Sequence, residues 1–411
     1  MYDLSLTPEQ IEFRDTVRDF VENEVKPAAL NPRRLEPFEK PLLVDALVKA
    51  SRMGLRALAL PEEAGGAGAD LLTGCLVLEE LGAGDVDVAT VLWRTMTLAA
   101  ALHRLMTPAQ RGRFLQPFVE DDHFHLACAA RDPAAGLGWS YHRPAVEEGA
   151  PPAAVKRGDE WVINGVVPFV ANAPIAKLFV VEARTDPDKT GANGLSALLV
   201  PRDTPGLAVG EPHKAVGEAI RWHHGSGAAI ALKDCRVPAG HLLGREGGSP
   251  FARGTEHARA VPGLAAVNLG VARAAFAAAV DYAKIRRQGG RNIIEHQAIG
   301  AKLADCAIKL ELARNIVWKA AWAFDHPQAA AADGAARLPL ETIARVYTAE
   351  AAHEVTLAAA ECFGAMGVMR DMPLQKYVHD AMVFLHSEDA DGVAKLAVAE
   401  AVAGYQRPLA A

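Results

Sequence analysis

Long alanine-rich segments with helical periodicity dominate the last third of this 411-residue chain. Residues 265–285, 297–324 and 339–360 each place apolar side chains at the three- and four-residue spacing of an α-helix. Long helices joined by short connections pack side by side in antiparallel bundles. The sequence therefore predicts a four-helix bundle for the C-terminal part of the chain, residues 244–411.

A separate helical region is predicted for residues 1–122. Thr7 and Thr107 are each followed by a proline and, three residues on, by a glutamine, which is the pattern of a capping box at a helix start. We expect the first helix to end at Pro27, because proline has no backbone N–H to donate. Further helices are expected at residues 42–53 and 71–81, on either side of a glycine-rich turn.

The pattern changes to short alternating runs between residues 123 and 243. Residues 155–165 predict a β-hairpin with a turn at Gly158 and Asp159, and a second turn is expected at Asn164 and Gly165. Residues 178–181, 195–200 and 228–232 are further β runs. The expected fold is thus α+β and multidomain, with an N-terminal helical domain (1–122), a middle small β barrel or sandwich (123–243) and the C-terminal four-helix bundle (244–411).

Composition restricts the class of partner. The formal net charge of -7 and the pI near 6.1 argue against nucleic acid or an anionic membrane. Five widely separated cysteines form no C-x-x-C pair, which favours free thiols in a reducing compartment over a metal site or disulfide framework. No apolar run is expected to reach membrane length. These features predict a cytoplasmic metabolic enzyme.

The stretch from residue 361 to residue 400 combines features suited to catalysis. Gly364 and Gly367 bracket a small-residue turn, where a backbone or a flat ligand can approach closely. A helix is then expected from Pro373, and an apolar run at residues 382–385 leads to Glu388. A carboxylate at the edge of apolar surface can have a raised pKa, and Glu388 is therefore a candidate general base.

This stretch resembles the C-terminal signature of the acyl-CoA dehydrogenase flavoenzymes, a pattern of Gly-Gly-x-Gly-aromatic, Pro, Arg-Asp-Ala and aromatic-Glu-Gly-Thr. The positions in register are Gly364, Gly367, Pro373, His379-Asp380-Ala381 and Glu388. The glycine-rich turn at residues 61–68 and the end of the β region at residues 235–238 resemble the same family, so the resemblance covers essentially the whole chain. Three departures stand out: Ala365 replaces a glycine, His379 an arginine, and Asp389-Ala390 the Gly-Thr pair.

The resemblance implies FAD as the cofactor. Arg286 and Gln288 match a family motif whose arginine reaches the pyrophosphate of FAD bound by a neighbouring subunit, and an arginine fork suits paired phosphate oxygens. Phe169 stands where a tryptophan covers the flavin ring, and Gly364 and Gly367 belong to the family's glycine motif. Other flavin-contacting positions depart from the family pattern, namely Arg131, Ala171, Glu361, Ala365 and Ala390.

The resemblance also implies the reaction. Glu388 would remove the α-proton of an acyl-CoA thioester while the β-hydrogen leaves as hydride to flavin N5, giving the 2-enoyl-CoA. The expected partners are an acyl-CoA or carrier-protein thioester and an electron-transferring flavoprotein as acceptor. The expected assembly is a homodimer or homotetramer, or else a hetero-oligomer.

Three alternatives stay open at this stage. Some relatives carry the base on the first bundle helix, at a position aligned near Ala260, where Glu256 lies one turn earlier and Arg259 is adjacent. The second alternative is that the chain is a weakly catalytic or non-catalytic subunit of a heteromeric dehydrogenase, as the altered flavin motifs suggest. A flavin oxidase or monooxygenase of the same fold is the third possibility.

Overall fold

A computed structural model of the chain describes residues 5–31, 41–130, 151–189, 191–212, 223–251, 255–332, 338–369, 371–386 and 391–405. Helices come first, strands follow, and helices return beyond residue 255. This order confirms the predicted α+β multidomain fold, with a helical N-terminal part, a β-rich middle and a helical bundle. The domain boundaries at residues 122 and 243 stay predictions.

The N-terminal part is made of helices with well-defined starts. Thr7 and Gln10 exchange side-chain-to-backbone hydrogen bonds of 3.2 and 3.1 Å, and Thr107 and Gln110 repeat the arrangement. Both predicted capping boxes are therefore confirmed. The helices are α1 (Pro8–Phe20), α2 (Lys26–Ala29), α3 (Val44–Arg52), α4 (Leu71–Gly84), α5 (Val86–Leu105), α6 (Pro108–Gln110) and α7 (Gln116–Glu120).

Pro27 does not end the first helix, contrary to the sequence prediction. A π-helical turn, Val21–Val25, follows α1 and leads directly into α2. Lys26 N–H donates to the carbonyl of Val21, five residues back. This wider turn restarts the hydrogen-bond register, so Pro27 occupies the first turn of α2, where its missing N–H removes no bond.

The middle part is one mixed sheet. Its strands run in the order β6-β7-β3-β2-β4-β5-β8, and β1 pairs in parallel with β4. Trp161, Phe179 and Val200 are among the side chains that fill its core. The strands are β1 (His125–Ala129), β2 (Ala153–Arg157), β3 (Glu160–Ala171), β4 (Ala176–Arg184), β5 (Leu195–Pro201), β6 (Leu207–Val209), β7 (Gly227–Pro238) and β8 (Leu242–Leu243).

The β2–β3 hairpin is confirmed, but the second predicted turn is wrong. β3 continues through Asn164 and Gly165, where its pairing with β7 shifts register. Asn164 Oδ1 accepts the N–H of Asp234 on β7 at 2.8 Å, and Gly165 has a φ of 147°. A side chain at Gly165 would lie 2.7 Å from Pro152 Cα. These residues therefore form a bulge inside a long strand.

The C-terminal part is the predicted bundle. Its first helix begins about ten residues earlier than the alanine-rich pattern suggested and contains Pro262. A two-stranded hairpin connects the first two long helices. The elements are α8 (Thr255–Ile285), β9 (Arg287–Gln288), β10 (Arg291–Asn292), α9 (Gln297–Asp325), α10 (Pro327–Ala332), α11 (Leu340–Phe363), α12 (Leu374–His386) and α13 (Asp391–Ala403).

Helices α4 and α8 join the N-terminal part to the bundle. A side chain at Gly82 would lie 2.2 Å from the Val267 carbonyl oxygen, and one at Gly270 would lie 2.1 Å from that of Glu79. Beside this crossing, buried Glu79 and Glu80 on α4 accept hydrogen bonds from Arg18, Arg273 and Arg314. The two parts therefore form a continuous core, and the space between α4, α5 and α8 is fixed on all sides.

One helix among the described residues, Ala258–Ile285 within α8, is long and apolar enough to cross a membrane. This corrects the expectation that no apolar run reaches that length. The most apolar window of the helix is 67% buried, and α4, α5, α9 and α11 pack against it. Burial in a bundle core accounts for the composition of this helix without a membrane.

Candidate active site

A cavity of about 120 Å³ lies between α4, α5 and α8. Leu78 and Gly74 on α4, Met96 on α5, and Ala260 and Gly263 on α8 supply much of its apolar wall. Five charged residues line it as well: Asp70, Arg104, Glu256, Arg259 and Asp325. The cavity brings Ala260 and Glu256, the alternative base position and its neighbour, into one enclosed space. Asp70, Arg104 and Asp325 were not singled out from the sequence, because they come from three separate helices.

We call the part of the cavity formed by these five charged residues its outer end. Arg104 Nη2 donates to Glu256 Oε2 at 2.5 Å. Asp325 Oδ1 and Oδ2 accept the backbone N–H groups of Leu71 and Leu72, each at 3.1 Å, at the start of α4. Burial raises the pKa of Asp325, and these two bonds oppose the effect. Helix ends and ion pairs thus supply the polar groups here.

The cavity wall on α5 begins at Met96 and Thr97, and we call this part the inner end of the cavity. Thr95, one residue away on α5, interacts through Oγ1 with His125 Nδ1 at 3.2 Å. Asn172 Nδ2 donates to the carbonyls of Val91 and Leu126, both at 3.2 Å, and to Thr95 Oγ1 at 3.4 Å. Burial lowers the pKa of His125 to about 3, so the imidazole is neutral in the folded protein. This network fixes the end of β3 against α5.

Phe169, the predicted flavin-covering residue, lies on β3 three residues before Asn172. Its half-buried ring meets the His223 ring with centroids 4.4 Å apart and an interplanar angle of 73°. A side chain at Gly227 on β7 would lie 2.2 Å from Phe169 Cζ. Strand packing therefore accounts for part of the Phe169 environment, and its contact with a flavin stays a prediction.

Arg286 and Gln288 lie at the far end of α8, in the β9–β10 hairpin. Gly289 and Gly290 have φ values of 59° and 82°, which is the geometry of a two-residue hairpin turn that favours glycine. Both Arg286 and Gln288 are exposed. The hairpin therefore presents donors at the surface, available to a phosphate group.

Gly364 and Gly367 lie close to this hairpin. Tyr282 on α8 stacks on Phe363 at the end of α11, with ring centroids 4.1 Å apart. Gly364 follows with a φ of 57°, and a side chain there would meet no atom within 4 Å. Gly367 is buried. A side chain at this position would lie 2.5 Å from the Ala360 carbonyl oxygen, so only glycine fits. The structure thus brings Arg286 and the glycine turn to the same end of the bundle, which we call the hairpin end.

The cavity and the hairpin end are far apart within one chain. Ala260 and Ile285 are separated by 25 residues of α8, which at about 1.5 Å per residue corresponds to about 38 Å. Arg286 is therefore far from the cavity of its own chain. The predicted site residues fall into two separate groups.

Several predicted positions lie outside the described residues. Glu388, Asp389, Ala390 and Arg131 are among them, so the geometry of the predicted base is not described. Helix α12 ends at His386, in agreement with the predicted helix from Pro373. Ala171 closes β3, and exposed Glu361 is paired with Lys302.

A buried polar cluster next to α12 escaped the sequence analysis. Lys376 Nζ lies 2.6 Å from Asp380 Oδ2 and 3.8 Å from Asp85 Oδ2, and all three side chains are almost fully buried. His224 Nε2 lies 2.9 Å from the Asp380 carbonyl oxygen. The cluster joins the α4–α5 junction, the β sheet and α12. The i,i+4 spacing of Lys376 and Asp380 was the available signal, but Asp85 and His224 are distant in sequence.

Three family profiles match successive parts of the chain. These are the acyl-CoA dehydrogenase N-terminal domain over residues 7–122, the middle domain over residues 146–225 and the C-terminal domain over residues 251–403. They follow the order of the helical, β and helical parts. The profiles define the class of protein, a three-part flavoenzyme that acts as an oxidoreductase.

Individual relatives agree with this class. A probable acyl-CoA dehydrogenase of Bacillus subtilis (strain 168) is 32% identical over 398 residues, covering 96% of this chain and 98% of the relative. The mitochondrial short-chain specific acyl-CoA dehydrogenase of Rattus norvegicus is 32% identical over 391 residues, covering 94% and 88%. The solved structure of butyryl-CoA dehydrogenase from Megasphaera elsdenii has a TM-score of 0.83 and 28% identity, covering 98% and 100%.

The chain belongs to the acyl-CoA dehydrogenase family. Its activity is accordingly the FAD-dependent dehydrogenation of acyl-CoA thioesters, as predicted from the sequence. The residues present fit FAD: Arg286 and Gln288 are exposed donors, the space around Gly364 is open, and Phe169 is a half-buried aromatic ring. Which residues perform catalysis and hold the cofactor stays a prediction.

Proposed function

We propose that this protein dehydrogenates short acyl-CoA thioesters to 2-enoyl-CoA, with Glu388 as the base that removes the α-proton. The observation that carries the proposal is the cavity between α4, α5 and α8, which is partly apolar and about 120 Å³ in volume. Its wall on α5 includes Met96, the residue next to Thr95, and Thr95 contacts Asn172. Bound FAD supplies the acceptor for the β-hydrogen. The short-chain relatives support the small acyl group.

The chain's own residues prepare the proton transfer. Apolar walls at Leu78, Met96 and Ala260 exclude water from the acyl group, which strengthens electrostatic interactions within the site. Asn172 and Thr95 hold β3 and α5 in a fixed relative position, so Phe169 and the cavity keep their spacing. Glu388 receives the proton on its carboxylate. A positioned base of this kind contributes about 10²–10⁴-fold to the rate.

Glu256 is the competing candidate for the base. It lines the cavity, but its carboxylate accepts a hydrogen bond from Arg104 and lies at the outer end, away from Phe169. A carboxylate held by an arginine is not free to turn toward the α-proton, and this favours Glu388.

A pair of variants distinguishes the two bases. Glu388→Gln is expected to slow flavin bleaching by acyl-CoA under anaerobic conditions by about 10²–10⁴-fold, whereas Glu256→Gln causes a much smaller loss. Flavin content, read from the visible spectrum, must remain equal in both variants for the comparison to count. The reverse order of effects would transfer the role of base to Glu256.

We further propose that the cofactor site is shared between subunits of a homodimer or homotetramer. Arg286 and Gln288 follow the end of α8, which is about 38 Å along the helix from Ala260 at the cavity, and the glycine turn at Gly364 lies at the same end. These residues would therefore hold the pyrophosphate end of FAD bound by a second copy. Ile285 and Val368, exposed by 77% and 75%, are apolar side chains at the hairpin end that a second copy would cover. Light scattering together with flavin content tests this arrangement.

Two other functions follow from the altered flavin motif. A subunit that depends on a different partner chain would purify without flavin when expressed alone. A flavin oxidase would consume oxygen with acyl-CoA at a rate close to its dehydrogenation rate. The exposed donors of the hairpin end favour a flavin-loaded homo-oligomer, and an electron-transferring flavoprotein is the acceptor we propose. The acidic pI and the five free thiols support a cytoplasmic location.

A further inference from the structure

The inner and outer ends of the cavity lie at different positions along α5. Thr95, the residue before Met96 at the inner end, contacts Asn172 just after β3, while Arg104 lies nine residues further along α5. Nine residues of helix correspond to about 14 Å. If dehydrogenation takes place beside Phe169, as the proposed function requires, the distal atoms of the acyl group extend along α5 toward the outer end. The groups there decide which acyl groups bind.

The carboxylates of the outer end are already engaged. Both oxygens of Asp325 accept backbone N–H groups, and Asp70 Oδ1 accepts the N–H of Thr73 at 2.7 Å. The positive end of the α4 dipole offsets their charge further. Glu256 Oε2 accepts from Arg104. Although the formal charges of the lining sum to -1, its acidic groups therefore have little capacity left for a ligand.

The two arginines have hydrogen bonds to spare. A guanidinium carries five N–H donors, and Arg104 uses one of its groups for Glu256. Arg259 lies over the Phe324 ring at 6.0 Å and its positive charge lowers the pKa of Asp325, but within the described part of the chain it forms no direct ion pair. Both side chains line the cavity. The outer end is therefore a site with surplus cationic donors, which suits a hydrogen-bond acceptor and above all a carboxylate.

The volume limits the size of the acyl group. A cavity of about 150 Å³ holds one benzene molecule, so the volume of about 120 Å³ holds about five non-hydrogen atoms. Beyond the thioester carbon and the two reacting carbons, an adipyl group contains two methylenes and a carboxylate, which matches this number. The methylenes would lie against Met96 and Ala100, and the carboxylate at Arg104.

We propose that the preferred substrates are acyl-CoA thioesters whose short acyl group ends in a carboxylate, and that Arg104 and Arg259 are the specificity residues that bind it. Their guanidinium groups neutralise the distal carboxylate and fix the length of the acyl group that fits. The proposal deepens the proposed function and depends on it.

The test compares adipyl-CoA with hexanoyl-CoA, which have the same number of carbons. Initial rates with an artificial electron acceptor give kcat/KM for each thioester. The wild-type protein is expected to prefer adipyl-CoA by at least about tenfold, and Arg104→Gln and Arg259→Gln are each expected to lower this ratio by about 10–100-fold, mainly through KM. Arg104→Lys keeps the charge without the planar fork and is expected to give an intermediate ratio.

The matched control is Arg236→Gln, which breaks a different Arg–Glu pair, with Glu160, on the β sheet. It should leave the ratio unchanged. If hexanoyl-CoA is oxidised as well as adipyl-CoA, or if neither cavity variant changes the ratio, the carboxylate proposal is wrong while dehydrogenation stands. If no thioester in a panel that includes short neutral acyl groups reduces the flavin, the proposed function and this inference both fail.

Discussion

The two ends of α8 carry two functional regions of opposite character. Around Ala260 the helix packs against α4 and α5 and lines a cavity, and the carboxylates there accept hydrogen bonds within the chain. Around Arg286 the helix passes into an exposed hairpin, where Ile285 is 77% exposed. The first region is lined by residues of one chain, whereas the second offers donors and apolar side chains to a surface outside it.

This difference predicts that the proposed substrate pocket and the proposed cofactor contact can be altered independently of each other. A change at the cavity end alters which acyl group fits, while a change at the hairpin end alters how firmly the proposed second copy shares its FAD. The two ends are about 38 Å apart. Variants at one end should therefore leave the other unaffected, and effects of distant substitutions are expected to add.

The largest expected effect comes from the buried cluster that joins the three parts of the molecule between these ends. Burial lowers the pKa of Lys376, but Asp380 and Asp85 raise it above its usual value, so the ammonium group is charged. Lys376→Met leaves both carboxylates buried without their cation. We expect a loss of about 3–5 kcal/mol in the free energy of unfolding, measured by chemical denaturation, with flavin retention and activity falling together.

Lys309→Met is the control for this prediction. Lys309 forms an ion pair with Glu354 in which both side chains are largely exposed, at 37% and 57%. Removal of such a pair typically costs less than about 1 kcal/mol. Equal destabilisation by the two variants would show that the cluster does not hold the parts together.

A smaller effect is expected at the hairpin end. Arg286→Gln removes the guanidinium proposed to bind the pyrophosphate of FAD, and a charge-assisted hydrogen bond contributes about 1.5–3 kcal/mol. The affinity for FAD should therefore fall about 10–100-fold, as measured by fluorescence titration of the flavin-depleted protein. Arg287→Gln, the adjacent exposed arginine, serves as the control. A stronger loss of FAD affinity in Arg287→Gln than in Arg286→Gln would show that Arg287, and not Arg286, contacts the cofactor.

The residues at the hairpin end of α8 can be predicted from the sequence more readily than those at the outer end of the cavity. The hairpin itself is predicted from a local motif, since Arg286, Gln288, Gly289 and Gly290 lie within five residues. The outer end of the cavity depends on residues from four helices, including Arg104 and Asp325, and their meeting is decided by the close crossing of α4 and α8 at Gly82 and Gly270. No periodicity reports such a crossing.

Pro27 and Asn164 illustrate the same limit. Each is a local signal for an ending or a turn, and each is overridden by a hydrogen bond, which lies within the same helical segment at Pro27 and comes from a neighbouring strand at Asn164. At Pro27 the override is a π-helical turn, and at Asn164 it is an amide contact with Asp234 on β7. Local propensity fails at these positions because the competing bond is made by another residue of the folded chain.

The smallest expected effect is a difference between the two ends in how their histidines make the free energy of unfolding depend on pH. Burial, followed by the positive charge of Arg56, lowers the pKa of His125 to about 3, from about 6.5 in the unfolded chain. A lowered folded-state pKa stabilises the protein fully above pH 6.5, and this contribution is lost as the pH falls toward the folded pKa. Between pH 7 and pH 5 the loss attributable to His125 is about 2 kcal/mol.

His125→Asn keeps a polar group near Thr95 but cannot take up a proton. We therefore expect the free energy of unfolding of this variant to fall by about 2 kcal/mol less than that of the wild-type protein between pH 7 and pH 5, measured by denaturation at each pH. His296→Asn, at the exposed hairpin end, is the matched control and should follow the wild-type curve. If His296→Asn instead flattens the acid response, the hairpin end carries the acid-sensitive contact, and the contrast between a closed cavity end and an open hairpin end is wrong.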